Sequence, residues 1–204
     1  MEISNRGILK KVGKVNVSDM FGKTLKKICV DRENDSYIIF ITTGNEIYKM
    51  WHAYQECCER VEVDDIVGDL DDLIGSPILM AEEVTEKGIY NDDERGEILH
   101  ESGRDVFSFT WTFYKFATQK GYVTIKWYGN SNGFYSEKVD VEKFILSRKE
   151  NQDSYYYVKC SNCNNIIISY VSEMIKYEAK RFGWKYDAER DLFVCSDCLV
   201  KSEK

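Results

Sequence analysis

The chain has 204 residues, 43% hydrophobic and 14% aromatic, which is material for one ordinary domain with a small module beside it. Its net charge is −7, and residues 62–101 alone carry 14 acidic against 2 basic side chains, so general binding of duplex nucleic acid over the whole surface is disfavoured. No apolar run reaches membrane-spanning length and the opening residues lack the order of a secretory signal, so the expected setting is the cytoplasm; there seven cysteines serve as metal ligands or free thiols rather than as a disulfide framework.

From Leu25 short β-branched and aromatic runs alternate with turn residues: Leu25 to Val30, a break at Arg32–Ser36, Tyr37 to Thr42, a turn at Thr43–Asn45, then Glu46 to Trp51. That pattern predicts two hairpins of an antiparallel meander. Ile66, Leu70, Leu73 and Ile74 fall at helical spacing between Gly68 and Gly75, predicting a helical turn or two, and Pro77 restarts the chain as an extended Ile78-Leu-Met-Ala. Phe107, Phe109, Trp111 and Phe113 alternate with Ser108, Thr110, Thr112 and Tyr114, placing four aromatics on one face of a half-buried strand. Turns near Gly121 and Gly129–Gly133 extend this into a predicted three-stranded antiparallel sheet over about 106–141.

The polar run Ser147–Ser154 reads as a linker dividing an antiparallel β-rich domain, 1–150, from a module over 151–204. In the module Val171, Met174, Ile175, Ala179 and Phe182 recur at helical spacing, with Ser169 as the amino-terminal cap and Gly183 just past the end. The predicted class is α+β: a β-rich domain with one or two short helices, then a small zinc-ribbon-like module containing one helix.

Cys160-Ser-Asn-Cys163 and Cys195-Ser-Asp-Cys198 are two C-x2-C knuckles. Two thiolates in each tight turn can face one ion, and four complete a tetrahedron, so the reading is one structural zinc. Iron–sulfur ligation also uses four thiolates, but two separated pairs fit ribbon-type zinc at least as well. A closed set leaves no position for substrate. Lys176, Lys180, Arg181 and Lys185 could touch phosphate, yet this segment has no net positive charge and reads as a solvated helix face.

Other constellations carry weaker signals. His52, Cys57, Cys58 and Glu59 put an imidazole, two thiols and a carboxylate within eight residues, so His52, Cys57 and Glu59 are the candidates for a thiol-dependent enzyme or half of a second metal site. No cysteine-protease signature surrounds them, and packed core residues are the plainer reading. Asp64, Asp65, Asp69, Asp71 and Asp72 do not make an EF-hand, because Ile74 and Met80 stand where glycine and glutamate are required. Magnesium on two carboxylates, a solvated acidic face, or a negative surface offered to a basic protein groove all stay open. Trp111, Trp127, Tyr128 and Tyr135 with nearby lysines are candidates for a pocket that stacks on a nucleotide.

The stretch from Cys57-Cys-Glu59 through Asp64 to Glu83, followed by Phe109 to Gly129 and Ser131 to Ser136, resembles an uncharacterised domain family found mainly in bacteriophage and prophage proteins, over roughly residues 20–141. The cysteine module resembles the small zinc ribbons that such proteins carry. This resemblance implies a viral setting and no catalytic residue. The resulting expectation is a phage accessory protein that binds a host protein without enzymatic action and inhibits an anti-phage defence system, with Asp69, Asp71 and Asp72 and the module's helix as contact residues. Its alternatives are the nucleotide or nucleic-acid binding module and the Cys/His-dependent enzyme.

Overall fold

The computed structural model describes residues 6–31, 36–53, 58–91, 106–163, 165–172 and 174–202. In chain order the first strands are β1 (Arg6–Lys14), β2 (Leu25–Val30), β3 (Tyr37–Thr42), β4 (Glu46–Trp51) and β5 (Glu59–Val67). Then come β6 (Met80–Asn91), β7 (Val106–Ala117), β8 (Tyr122–Ser131) and β9 (Asp140–Ser147). The carboxyl-terminal part adds β10 (Ser154–Lys159), β11 (Ile166–Ser169), helix α1 (Ile175–Arg181), β12 (Lys185–Asp187), β13 (Leu192–Val194) and helix α2 (Ser196–Ser202). The class is as expected: mostly antiparallel β, few helices, and a terminal cysteine cluster with a small helix.

Seven strands form a half-barrel sheet in the order β11-β10-β1-β9-β4-β3-β2, and four form a second sheet in the order β5-β8-β7-β6, all neighbours antiparallel. The core between them joins Ile38, Phe40, Tyr48 and Met50 of the larger sheet to Val61, Val63, Tyr114, Phe116, Val123, Ile125 and Trp127 of the smaller. The opposite face of the larger sheet carries a second cluster that includes Ile39, Ile41, Ile47, Phe144 and Tyr157. β3 is therefore covered on both sides, which its unbroken run Tyr37-Ile-Ile-Phe-Ile-Thr42 suits. The free edge of β2 is closed by residues 74–78: Gly75 donates to the Leu25 carbonyl at 2.8 Å and Ile78 to that of Lys23 at 2.9 Å.

The meander over 25–51 forms as predicted. Three expectations are corrected, and one left open, the side of β7 that faces the interior, is settled. Residues 63–67 belong to β5, and only Leu70–Leu73 make a single 3-10 turn; a bulge between Val63 and Asp65 breaks the alternation that would have announced a strand. The sheet over 106–141 has no third strand of its own, because the chain after β8 leaves it and enters the larger sheet as β9, between β1 and β4. The aromatic face of β7 is its outer face: Thr110, Thr112, Tyr114 and Phe116 are buried, while Phe109, Trp111 and Phe113 keep partial exposure. Ser169 ends β11 in a local turn, accepting from Val171 N–H at 3.2 Å, and Met174 occupies the helix cap. Gly183, at φ +70°, does terminate α1.

The run 148–153 carries the chain from one side of β1 to the other, since β9 and β10 both pair with that strand. Two strands of the carboxyl-terminal segment thus complete the larger sheet, and the remainder packs beyond its β11 edge around the cysteines.

Candidate metal centre and ligand cleft

The first knuckle follows β10 directly: Cys160 N–H donates to the Asn165 carbonyl at 2.7 Å, closing a tight turn over residues 161–163. The second follows β13, with Cys195 just past the strand and Cys198 in the first turn of α2. A bridge between Cys160 and Phe193 sets the two knuckles side by side. All four Sγ atoms lie within 4.8 Å of one another. A tetrahedron of thiolates about 2.3 Å from one ion has sulfur–sulfur edges of about 3.8 Å, so the four can hold a metal with little adjustment. Main-chain N–H groups of Cys195 and Asn162 point at the Cys160 sulfur at 3.3 and 3.4 Å, which favours its thiolate. Hydrogen bonding from the Cys195 thiol and from these amides lowers Cys160, and the same pairing together with burial raises Cys195. Cys29, by contrast, is a core thiol that burial pushes up to about 12.

A cleft of about 1080 Å³ opens on the face of the larger sheet that carries the second cluster and reaches Arg60–Glu62 at the start of β5. Its floor is built by strand alternation: Ile47, Lys49 and Trp51 of β4 share one face with Tyr37 and Ile39 of β3, Glu142 and Phe144 of β9, and Lys11 of β1. Lys49 and Glu142 are direct cross-strand partners. The Glu142 side chain is 2% exposed and pairs through Oε1 with Lys11, while Oε2 has no partner. The Lys49 ammonium sits 3.9 Å from the Trp51 ring centroid and 5.6 Å from that of Tyr37, and Trp51 Nε1–H is buried without an acceptor. Burial holds Lys49 down from 10.5 to about 8, against the attraction of Glu142 and Glu178. One wall is α1 with its carboxyl-terminal cap: the helix contributes Glu178 and Arg181, and the cap residue Phe182 meets Tyr37 edge to face at 5.2 Å. Burial raises the Glu178 carboxyl.

The residues singled out from sequence are distributed as follows. His52 also lines the cleft, but its ring is bound at both ends: Nδ1 donates to the Lys138 carbonyl at 2.8 Å and Nε2 lies 3.0 Å from Glu59 Oε1. Through these two contacts the imidazole ties the end of β4 to β5 and to the segment before β9. Cys57 lies outside the described residues, and Cys58 is exposed. Asp69 caps the 3-10 turn by accepting from Asp71 N–H at 2.9 Å; Asp71 is exposed and Asp72 packs on Gly121. Trp111 and Tyr128 meet at 4.7 Å on the outer face of the smaller sheet, whereas Trp127 is fully buried on the inner face, so the three do not form one pocket. Tyr135 is exposed. Of the module's cations, Arg181 faces the cleft and Lys176 donates to the Tyr186 hydroxyl at 3.1 Å.

Sequence reasoning passed over Lys11, Lys49 and Glu142. One signal was readable: a lysine between Ile47 and Trp51 in an alternating strand is a charge on an apolar face.

The chain belongs to DUF7448, a family defined as a domain of unknown function, whose model matches residues 10–141. No curated protein and no solved structure matches it.

Proposed function

We propose that this member of the DUF7448 family is a binding protein that holds an anionic, ring-bearing small ligand of the nucleotide class in the cleft, without turnover. The observation carrying this reading is the floor: an ammonium held over an indole, beside a carboxylate oxygen and an indole N–H that both lack partners. A nucleobase supplies a donor for Glu142 Oε2, an acceptor for Trp51 Nε1 and a ring for the aromatic walls, and buried polar groups left unpaired are costly. Lys11, Lys14, Lys49, Arg60 and Arg181 outnumber Glu62, Glu142 and Glu178 around the cleft, which suits phosphate. Thermal denaturation against a panel of nucleotides tests the reading, because a ligand that favours the folded state raises Tm. At least one nucleotide is expected to do so in the wild type and to lose the effect in Trp51→Ala. A panel that leaves Tm unmoved sinks the proposal.

The metal we infer is a single zinc ion on Cys160, Cys163, Cys195 and Cys198, with a structural role. Elemental analysis of the purified protein is expected to return about one zinc per chain; iron in its place, or no metal, contradicts this.

A second reading, a cytoplasmic phage accessory protein that captures a host protein and inhibits an anti-phage defence system, is supported by the edge strand β6, which exposes Glu82, Glu83 and Glu86. Charge reversal at these glutamates should abolish a stoichiometric partner captured from host lysate. Capture unaffected by the reversal would remove the acidic surface from consideration.

A further inference from the structure

Lys49 combines four features that a merely charge-bearing lysine does not need together. It sits on a sheet floor among Ile39, Phe144 and Trp51, and its ammonium rests over an indole with no carboxylate within ion-pair distance among the described residues. Its cross-strand partner Glu142 keeps one carboxylate oxygen unpaired. The side chain remains reachable, because it lines a cleft large enough for a drug-sized molecule.

Resting on the ligand-cleft reading, we infer that Lys49 is a reactive amine that forms a reversible imine with an anionic aromatic aldehyde bound in that cleft. The Nζ lone pair adds to the carbonyl carbon, forming the C–N bond as the C=O π bond breaks. Two protons then pass through solvent water from nitrogen to the former carbonyl oxygen, water departs, and the proton given up by the ammonium before attack returns to the imine nitrogen. The balance is ammonium plus aldehyde giving protonated imine plus water, with no change of oxidation state. A lysine desolvated in an apolar pocket is the usual form of such a nucleophile, since only the unprotonated amine attacks. Burial favours that form here, with Lys11 acting in the same direction and Glu142 and Glu178 opposing.

Pyridoxal 5′-phosphate, an anionic aromatic aldehyde, is the probe, and pyridoxine 5′-phosphate, which has an alcohol in place of the aldehyde, is its unreactive counterpart. The full-length protein is incubated with the aldehyde, reduced with borohydride and mapped by peptide mass spectrometry. The expected result is label on Lys49 in preference to any other lysine by about tenfold or more, given an amine freed well below the ordinary lysine range. The alcohol should bind and protect Lys49 from labelling. In Lys49→Arg, with its fold checked by circular dichroism, no other lysine takes over as the preferred site; a preferred label on Lys11 instead would overturn the assignment. Labelling in the wild type that falls evenly on surface lysines, with the alcohol still bound, overturns the imine and leaves the cleft reading standing. An alcohol that fails to bind, with no preferred label, overturns the imine, and the nucleotide panel then decides the cleft reading by itself.

Discussion

Glu137 explains why the aromatic side of β7 faces outward. Its carboxylate is buried and accepts from Ser108, from Thr110 at 2.6 Å and from Ser131 at 2.8 Å, so the Ser108 and Thr110 side of β7 has to face inward with Ser131 of β8 to meet it. Three hydroxyls around one charge outweigh the preference of rings for the interior, because an unpaired buried carboxylate costs more than an exposed ring edge. Glu137→Ala, which orphans those hydroxyls, is expected to lower unfolding free energy by about 2–4 kcal/mol in urea titration, with Glu137→Gln losing less. Gly129→Ala tests the same seat from the other side: its Cβ would stand 2.8 Å from the Glu137 carbonyl oxygen, and a loss of about 1–3 kcal/mol should follow. Lys49 gives a pH signature of opposite origin. Its folded value is depressed to about 8 from 10.5, so below pH 8 both states carry the proton and the folded one bears a desolvated charge. Between pH 8 and 10.5 only the unfolded chain still holds it, so stability rises with pH across that window. Lys49→Met should therefore melt above the wild type at pH 7, with the gap closing between pH 8 and 10.5; parallel melting curves would refute the assignment.

Among the elements, α1 depends most on the cysteines. At seven residues it is too short to persist alone, and Ile175 and Ala179 anchor it in the cluster that also contains Cys160, Cys195, Phe193 and Trp184. Its other side supplies the cleft wall. Hydrogen exchange after chelation, or in Cys198→Ser, should show protection lost first in α1 and the β12–β13 hairpin while the amides of β2–β4 keep theirs. Uniform loss across the chain would mean that the metal holds the whole sheet. The helix itself was legible in sequence through its apolar spacing and Gly183, but its start was not: Ser169 has the chemistry of a cap and uses it for a turn at the end of β11. β5 was illegible for a different reason, since one bulged residue shifts every later side chain to the other face.

At the scale of the molecule, the cysteine cluster and the cleft share α1, so the proposed metal and the proposed ligand would be energetically coupled through it. Removing the metal is expected to weaken nucleotide binding by roughly 5- to 150-fold, the range of ordinary coupling free energies, as read by titration calorimetry before and after chelation. Equal affinities in the two forms would show that the wall is held without the ion. Sequence alone determined the four-cysteine cluster and the meander over 25–51, because both are written in short local patterns: thiols separated by two residues in each turn, and short apolar runs punctuated by turn chemistry. Only the tertiary structure decided which side of β7 is interior and which residues share the cleft. Period two reports that a strand has two unlike faces and is silent on which one a distant carboxylate will claim. Lys11, Lys49 and Glu142 come from strands far apart in the chain and become neighbours only when β9 enters between β1 and β4.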